Sequence, residues 1–152
     1  MKKKDIKELF YGDDLDTGES IYYEDEKLML LFNGIVVDYF KGKLSWEFEV
    51  RDGYRTGIEK KYYETGELME ENETDHNTIN GIAKEFYKNG KMSSQGIVIR
   101  NIFIDTIFYD EEGNVISKES IESIKEKIPG YSLVEKEIVA YREKYKYYNE
   151  SR

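Results

Sequence analysis

The residues equipped for chemistry are few, and their spacing argues against a catalytic site. The single histidine, His76, stands in Asp75-His76-Asn77. Imidazole serves as a general base or a metal ligand near neutral pH, but either role needs oriented partners, and no spacing here supplies them. Asp75 and Asn77 alternate as in a calcium loop, yet Ile79 and Phe86 fill the fifth and twelfth positions, where oxygen ligands are required. His76 therefore reads as an exposed loop residue. There is no cysteine, which removes thiol catalysis, zinc–thiolate sites and disulfides and suits a reducing compartment. No glycine lies five residues before a Gly-Lys-Ser/Thr, so there is no phosphate loop. With 32 Asp and Glu residues, some carboxylate pair always falls at a glycosidase-like distance, and such a pair carries no weight. The expectation is a non-enzyme with no catalytic, cofactor-binding or metal-binding residues.

Carboxylates do cluster at candidate turns. The partner-binding candidates are Glu24, Asp25 and Glu26, then Glu70, Glu71, Glu73 and Asp75, then Asp110, Glu111 and Glu112. Solvated turns and protected sheet edges explain them structurally. The functional reading is docking of a cationic protein, where charge raises the on-rate and neighbouring tyrosines act as anchors. The formal charge is −9, and it lies in residues 1–117, because the tail from Lys118 onward is nearly balanced. Phosphate contacts need a basic footprint, so nucleic acid is not an expected partner.

The elements that must position these residues are repeats. Gly57-Ile58-Glu59-Lys60-Lys61-Tyr62-Tyr63-Glu64-Thr65-Gly66-Glu67-Leu68 is echoed by Gly81-Ile82-Ala83-Lys84-Glu85-Phe86-Tyr87-Lys88-Asn89-Gly90-Lys91-Met92, 24 residues later. A fixed period of this size marks stacked supersecondary units. Weaker copies give about five units, starting near Thr17, Gly34, Gly57, Gly81 and Ile104. The Gly34 copy is one residue short in its turn. The Thr17 copy has Glu26 in place of glycine, and the Ile104 copy has one extra turn residue. Each unit reads as a β-hairpin whose Gly66- or Gly90-type glycine takes a positive φ before a bulge. A second glycine turn, at Asn33-Gly34, Thr56-Gly57 or Asn80-Gly81, leads onward.

Alternation places Tyr22, Tyr39, Tyr62, Phe86 and Phe108 on one face and Tyr23, Phe40, Tyr63, Tyr87 and Tyr109 on the other. Hydrophobic residues make up 39% of the chain and aromatics 14%, so rings rather than a thick aliphatic core are expected to hold the sheet. Residues 70–78 are polar throughout and read as a protruding connection. Residues 95–104 read as a strand buried on both faces or covered by the tail.

After Ser117 the period changes. Ser120 is placed to cap a short helix with Ile121, Ile124 and Ile128, ended by Pro129-Gly130. Ser132-Leu133-Val134-Glu135 fits a capping box. It opens a helix with an apolar stripe of Val134, Ile138, Tyr141, Tyr145 and Tyr148. The fold class expected is mainly β. It is an antiparallel β-meander of about five hairpins in an elongated sheet, with a C-terminal α-helical segment packed on it. Residues 1–16 form an N-terminal segment, 17–117 the repeats, and 118–152 a helical tail of the same domain.

The phrase G-x4-[YF]-[YF]-x2-G-x-[LM], complete at 57–68 and 81–92, resembles the variant MORN repeat. The likeness covers about two-thirds of the chain, with departures near 22–28, 34–44 and 104–115. The resemblance implies a protein partner: many bacterial members are antitoxins or immunity proteins, others are envelope or scaffolding repeats, and eukaryotic relatives are linked to lipids. It names no catalytic residues. The expectation is an immunity-type module masking a basic toxin domain, with structural scaffolding and lipid-headgroup binding as rivals. The negative charge opposes the lipid reading at anionic membranes. No apolar run approaches membrane length, and Asp5, Lys7 and Glu8 interrupt the basic start. A cytoplasmic location is therefore expected, unless an export signal precedes the sequence.

Overall fold

The computed structural model describes residues 1–146. A nine-stranded sheet dominates. Its strands, in spatial order, are β1 (Lys3–Asp5), β4 (Gly34–Phe40), β5 (Lys43–Arg51), β6 (Tyr54–Tyr62), β7 (Leu68–Asp75), β8 (Thr78–Phe86), β9 (Met92–Ile99), β10 (Ile102–Tyr109) and β11 (Val115–Ser120). All neighbours are antiparallel except β1, which runs parallel to β4. β2 (Phe10–Asp13) and β3 (Ser20–Tyr23) form a separate ribbon. Two helices, α1 (Tyr131–Val134) and α2 (Ile138–Lys144), are joined by a 3₁₀ turn at Glu135–Glu137.

From β5 onward the hairpins alternate between two kinds of turn. On one margin, Gly66, Gly90 and Gly113 take positive φ, and each donates its N–H to the carbonyl three residues back, on Tyr63, Tyr87 and Asp110. A bulge sits just before, at Lys61/Tyr62, Glu85/Phe86 and Phe108/Tyr109. The last hairpin is therefore not one residue longer. Its frame is shifted, so that Tyr109 occupies the place of Tyr62 and Phe86. On the other margin, Asp52-Gly53, His76-Asn77 and Arg100-Asn101 all have positive φ at both residues, the signature of two-residue type I′ turns. The connecting turns thus lie upstream of Gly57 and Gly81, which are strand residues. At each of them the backbone has φ above +110°, and a Cβ would overlap the carboxylate of Glu49 or Glu73. Those carboxylates lie over the bulges and accept the N–H of Ile58 and Ile82 respectively.

The short-turn margin is clamped from one hairpin to the next. Gly53, Asn77 and Asn101 donate their N–H groups to the carbonyls of Phe32, Arg55 and Ile79 at 2.8–2.9 Å. Asn77 and Asn101 complete the clamp: their side-chain oxygens accept the N–H of Arg55 (2.8 Å) and Ile79 (2.7 Å). Asn33, Thr56 and Asn80 cap the preceding turn residue, accepting from Asp52, His76 and Arg100. On the far margin the Tyr63 hydroxyl donates to the Phe86 carbonyl and the Tyr87 hydroxyl to the Tyr109 carbonyl, both at 2.6 Å. Asp110 ends this series. Its carboxylate accepts the N–H groups of Asn114 and Glu112, and these bonds hold it below the usual carboxylate range.

Residues 70–78 are not a protruding connection. Glu70 to Asp75 belong to a central strand, followed by the tight turn at His76-Asn77. Polar side chains suit this strand because its neighbours are polar too. Glu47, Lys60, Glu71, Lys84 and Gln95 stand directly opposite one another across five strands. Glu71 lies 3.9 Å from both Lys60 and Lys84, and Lys3 extends the row to Glu47 at 3.1 Å. Each exposed pair is worth roughly 0.2–1 kcal/mol, so the row secures register more than stability.

Two cores sit on opposite faces, at opposite ends of the sheet. Val36, Phe48 and Val50 pack with Leu9, Tyr22 and Phe32 of the N-terminal module. Ile82, Ile97 and Ile99 pack on the other face with Ile104, Ile121, Val134, Ile138 and Tyr145. Aliphatic residues carry more of this packing than the expected aromatic ladders do. Tyr39 and Phe40 are exposed, and Tyr63 and Tyr87 lie past their strand ends, in the turns. In the apolar stretch 95–104, Ile97, Ile99 and Ile104 pack under the tail, and Val98, on the other face, is fully buried. The Thr17 unit does not join the sheet. With Glu26 in the glycine position, the chain closes a wider loop and β3 pairs with β2 instead. Ser120 and Ser132 make no cap bonds. Residues 121–127 form two 3₁₀ turns, and α1 starts after Gly130, which is in the left-handed conformation. The stripe residues Val134, Ile138, Tyr141 and Tyr145 face the sheet core as expected; Tyr148 lies outside the described residues.

Asn77 also ties the N-terminal module to the sheet: its amide donates to Asp14 (3.0 Å) and to the Ser20 carbonyl (3.1 Å). Asn77→Ala strands several buried groups and should cost roughly 2–4 kcal/mol in chemical denaturation. Arg142 fastens the tail by bonding both Glu122 oxygens (2.6 and 2.7 Å) and both Asp105 oxygens (2.8 and 2.9 Å). Hydrogen bonding from Arg142 holds Glu122 down to about 2, from an ordinary 4.5. A carboxylate with a depressed folded pKa stabilises fully above its unfolded pKa and loses that stabilisation as the pH falls through the folded one. Thermal unfolding should therefore show a tail contribution that fades between pH 4.5 and 2, and Arg142→Gln should flatten that segment. Glu122 is half-exposed, so salt should reduce the difference.

Candidate protein-docking site

The exposed apolar surface is concentrated in the N-terminal module. After β3 the chain turns through Glu24 to Leu31 and returns beside Tyr23, where Leu31 forms an isolated bridge. Asp25 holds this loop. Its carboxylate accepts the N–H groups of Met29 (2.9 Å) and Leu30 (2.8 Å), and its carbonyl accepts that of Leu28. Leu28 takes φ 56°, an uncommon conformation for a bulky residue without such support. The loop thus turns its apolar side chains outward: Met29 is 80% exposed and Leu30 56%. Leu28 lies over Gly12 of β2, and that strand adds exposed Phe10 and Tyr11. Consecutive apolar side chains held in solvent mark an interaction surface rather than scattered exposure.

The ten acidic candidates do not form one surface. Glu24, Asp25 and Glu26 surround the apolar loop, with Glu24 paired to Lys2 and held below the usual carboxylate range by that bond. Glu70 and Glu71 belong to β7 and face lysines, Glu70 lying 3.4 Å from Lys61. Glu73 caps the Ile82 N–H. Asp75 lies 3.1 Å from His76 Nδ1, and the His76 ring stacks on Tyr54 at 4.9 Å. Asp110, Glu111 and Glu112 lie at the opposite margin, where the Glu111 and Glu112 carbonyls accept Asn89 and Lys91. The first group adjoins the exposed run Leu28 to Leu31, whereas the second has the single exposed Ile58 opposite Glu73 and the third lies one turn from Val115 and Ile116 on the outer strand. Leu28, Met29, Leu30 and Leu31 were not among the expected site residues. Their signal in the sequence is a run of five apolar residues, Leu28 to Phe32, one residue after an acidic turn.

Among the described residues no group of three or more His, Asp or Glu side chains could hold a metal ion. No helix there is long and apolar enough to cross a membrane.

The architecture is that of a β-hairpin repeat protein. The family model described as the MORN repeat variant matches residues 55–76 and 79–98, and the chain carries MORN-type repeats over β6 to β9. It is thereby a repeat-type module of the protein-binding or scaffolding kind. Searches of curated proteins and of solved structures returned no match.

Replacing Asp25 with alanine removes both side-chain acceptors that hold the loop. Amide exchange at Met29 and Leu30 should become markedly faster, while β5 to β9 keep their protection.

Proposed function

We propose that the protein is a non-enzymatic module that docks a cationic protein partner on its N-terminal face. In its sharper form it is a cytoplasmic antitoxin or immunity protein that masks a basic toxin domain. One observation carries this reading: the Asp25-supported loop exposes Leu28 to Leu30 beside Glu24 and Glu26. Apolar anchors give binding energy when a partner desolvates them, and surrounding carboxylates select a basic surface and speed encounter. The overall charge of −9 supports the same partner chemistry. The carboxylates of β7 are less suited, because lysines or backbone N–H groups already engage them.

The scaffolding reading is favoured by one feature, the outer strand β11. It is exposed over Val115–Glu119, including Val115 and Ile116, and among the described residues pairs only with β10. Such an edge can accept another strand.

The test is co-expression with the product of the neighbouring gene, scored by complex formation and by relief of that product's toxicity. The wild type should form the complex and restore growth. Met29→Glu with Leu30→Glu should weaken binding at least a hundredfold, about 3 kcal/mol, as expected for two central anchors. Absence of both complex and rescue with the wild type would sink the antitoxin reading. Undiminished binding by the double variant would sink the proposed docking site.

A further inference from the structure

A groove of about 500 Å³ opens on the face that carries the N-terminal module, where Glu19 of that module meets Asp38, Trp46, Arg55, Glu59 and Lys61 of the sheet. Asp38 and Trp46 are directly opposite each other on β4 and β5. Trp46 and Lys61 are opposite on β5 and β6, so these side chains share one face.

The charges in the groove are unevenly satisfied. Arg55 is 8% exposed and Glu59 2%. They form an ion pair at 2.8 Å, and Glu19 approaches Arg55 at 3.5 Å. Removing two charges from water is tolerated only when they are paired this closely. Arg55 also donates to the Asn77 carbonyl at 3.2 Å and lies 5.7 Å from the Trp46 ring. Lys61 is neutralised by Glu70 at 3.4 Å. Among the described residues, Asp38, half-buried beside the indole, has no cationic or hydrogen-bonding partner. The Trp46 indole N–H is buried and also lacks an acceptor. A buried polar group without a partner normally signals a missing ligand or water. The groove therefore presents an uncompensated carboxylate beside an aromatic ring.

We infer that this groove receives a cationic side chain, arginine or lysine, from the protein partner. The cation pairs with Asp38 in the groove, beside Trp46 on the neighbouring strand. A guanidinium matches a carboxylate with two parallel bonds. Arg55 and Lys61 do not repel the guest strongly, because Glu59, Glu19 and Glu70 offset them. This inference rests on the reading of a cationic partner and names where one of its side chains goes.

The chain has a single tryptophan, so one indole N–H resonance reports on the groove. The full-length protein is titrated with N-acetyl-arginine amide, N-acetyl-lysine amide and the neutral isostere N-acetyl-citrulline amide. The cationic amides should move the indole resonance saturably, and citrulline should do so at least tenfold more weakly. Asp38→Asn should weaken the cationic response at least tenfold. No movement with either cation, an equal response to citrulline, or an unchanged response in Asp38→Asn would each overturn the proposal. If Asp38→Asn fails to fold, the arginine–citrulline comparison on the wild type decides alone. Met29→Glu with Leu30→Glu should leave this titration unchanged. An indole response without partner capture would uphold the groove and defeat the docking reading; capture without a response would do the reverse.

Discussion

The structure depends on the way each type I′ turn is clamped to the hairpin before it. A two-stranded hairpin alone is marginal in water. Here the turn residue Asn77 exchanges backbone and side-chain bonds with Arg55, and Asn101 does the same with Ile79. These bonds link turns that are neighbours in space but more than twenty residues apart in sequence. They align the strands before any side chain on the sheet is considered. Register then follows, and with it the placing of Glu71 between Lys60 and Lys84, the position of Glu73 over Gly81, and the separation of the two cores. Asparagine suits the task because it tolerates positive φ and its amide imitates a peptide group.

Much of this order is legible in the residues themselves. The recurrence of Gly57 and Gly66 as Gly81 and Gly90 discloses the hairpin unit, its period and the bulged turn. The meaning of the first glycine is less accessible. Gly57 and Gly81 look like turn residues, whereas they admit a carboxylate over the sheet, a relation between residues eight apart that the repeat alone does not reveal. The polar run from Glu70 to Thr78 misleads for a related reason. Polarity signals a loop only when nothing pairs with it, and the lysines that pair with it lie on other strands. The last hairpin shows how one substitution can move a frame: Asp110 builds its own turn from its carboxylate, so no second aromatic is needed there.

The candidate site was half visible. Acidic turns stand out in composition, but most of these carboxylates have structural work in the folded chain. Glu73 caps a bulge, Asp110 shapes a turn and Asp25 holds a loop. The apolar residues that Asp25 turns outward are common types, and their exposure comes from backbone geometry. The clearest clue was the place where the repeat fails. Glu26 stands where the other units have glycine, and there the chain leaves the sheet to form a loop of its own. The groove beside Trp46 was less accessible still, because its residues come from β4, β5, β6 and the segment before β3.

The clamps are nearly identical from one hairpin to the next, and the N- and C-terminal modules grip opposite ends of the array. The central hairpins therefore behave as graduations on a ruler. Adding one 24-residue unit between Asn77 and Ile82 changes the sheet by two strands and shifts the two end modules relative to each other by roughly 10 Å. Neither module's own contacts need to change. Descent by unequal duplication could thus adjust the reach of this protein in fixed steps, while the apolar loop at one end and the Arg142-fastened helix at the other stay as they are.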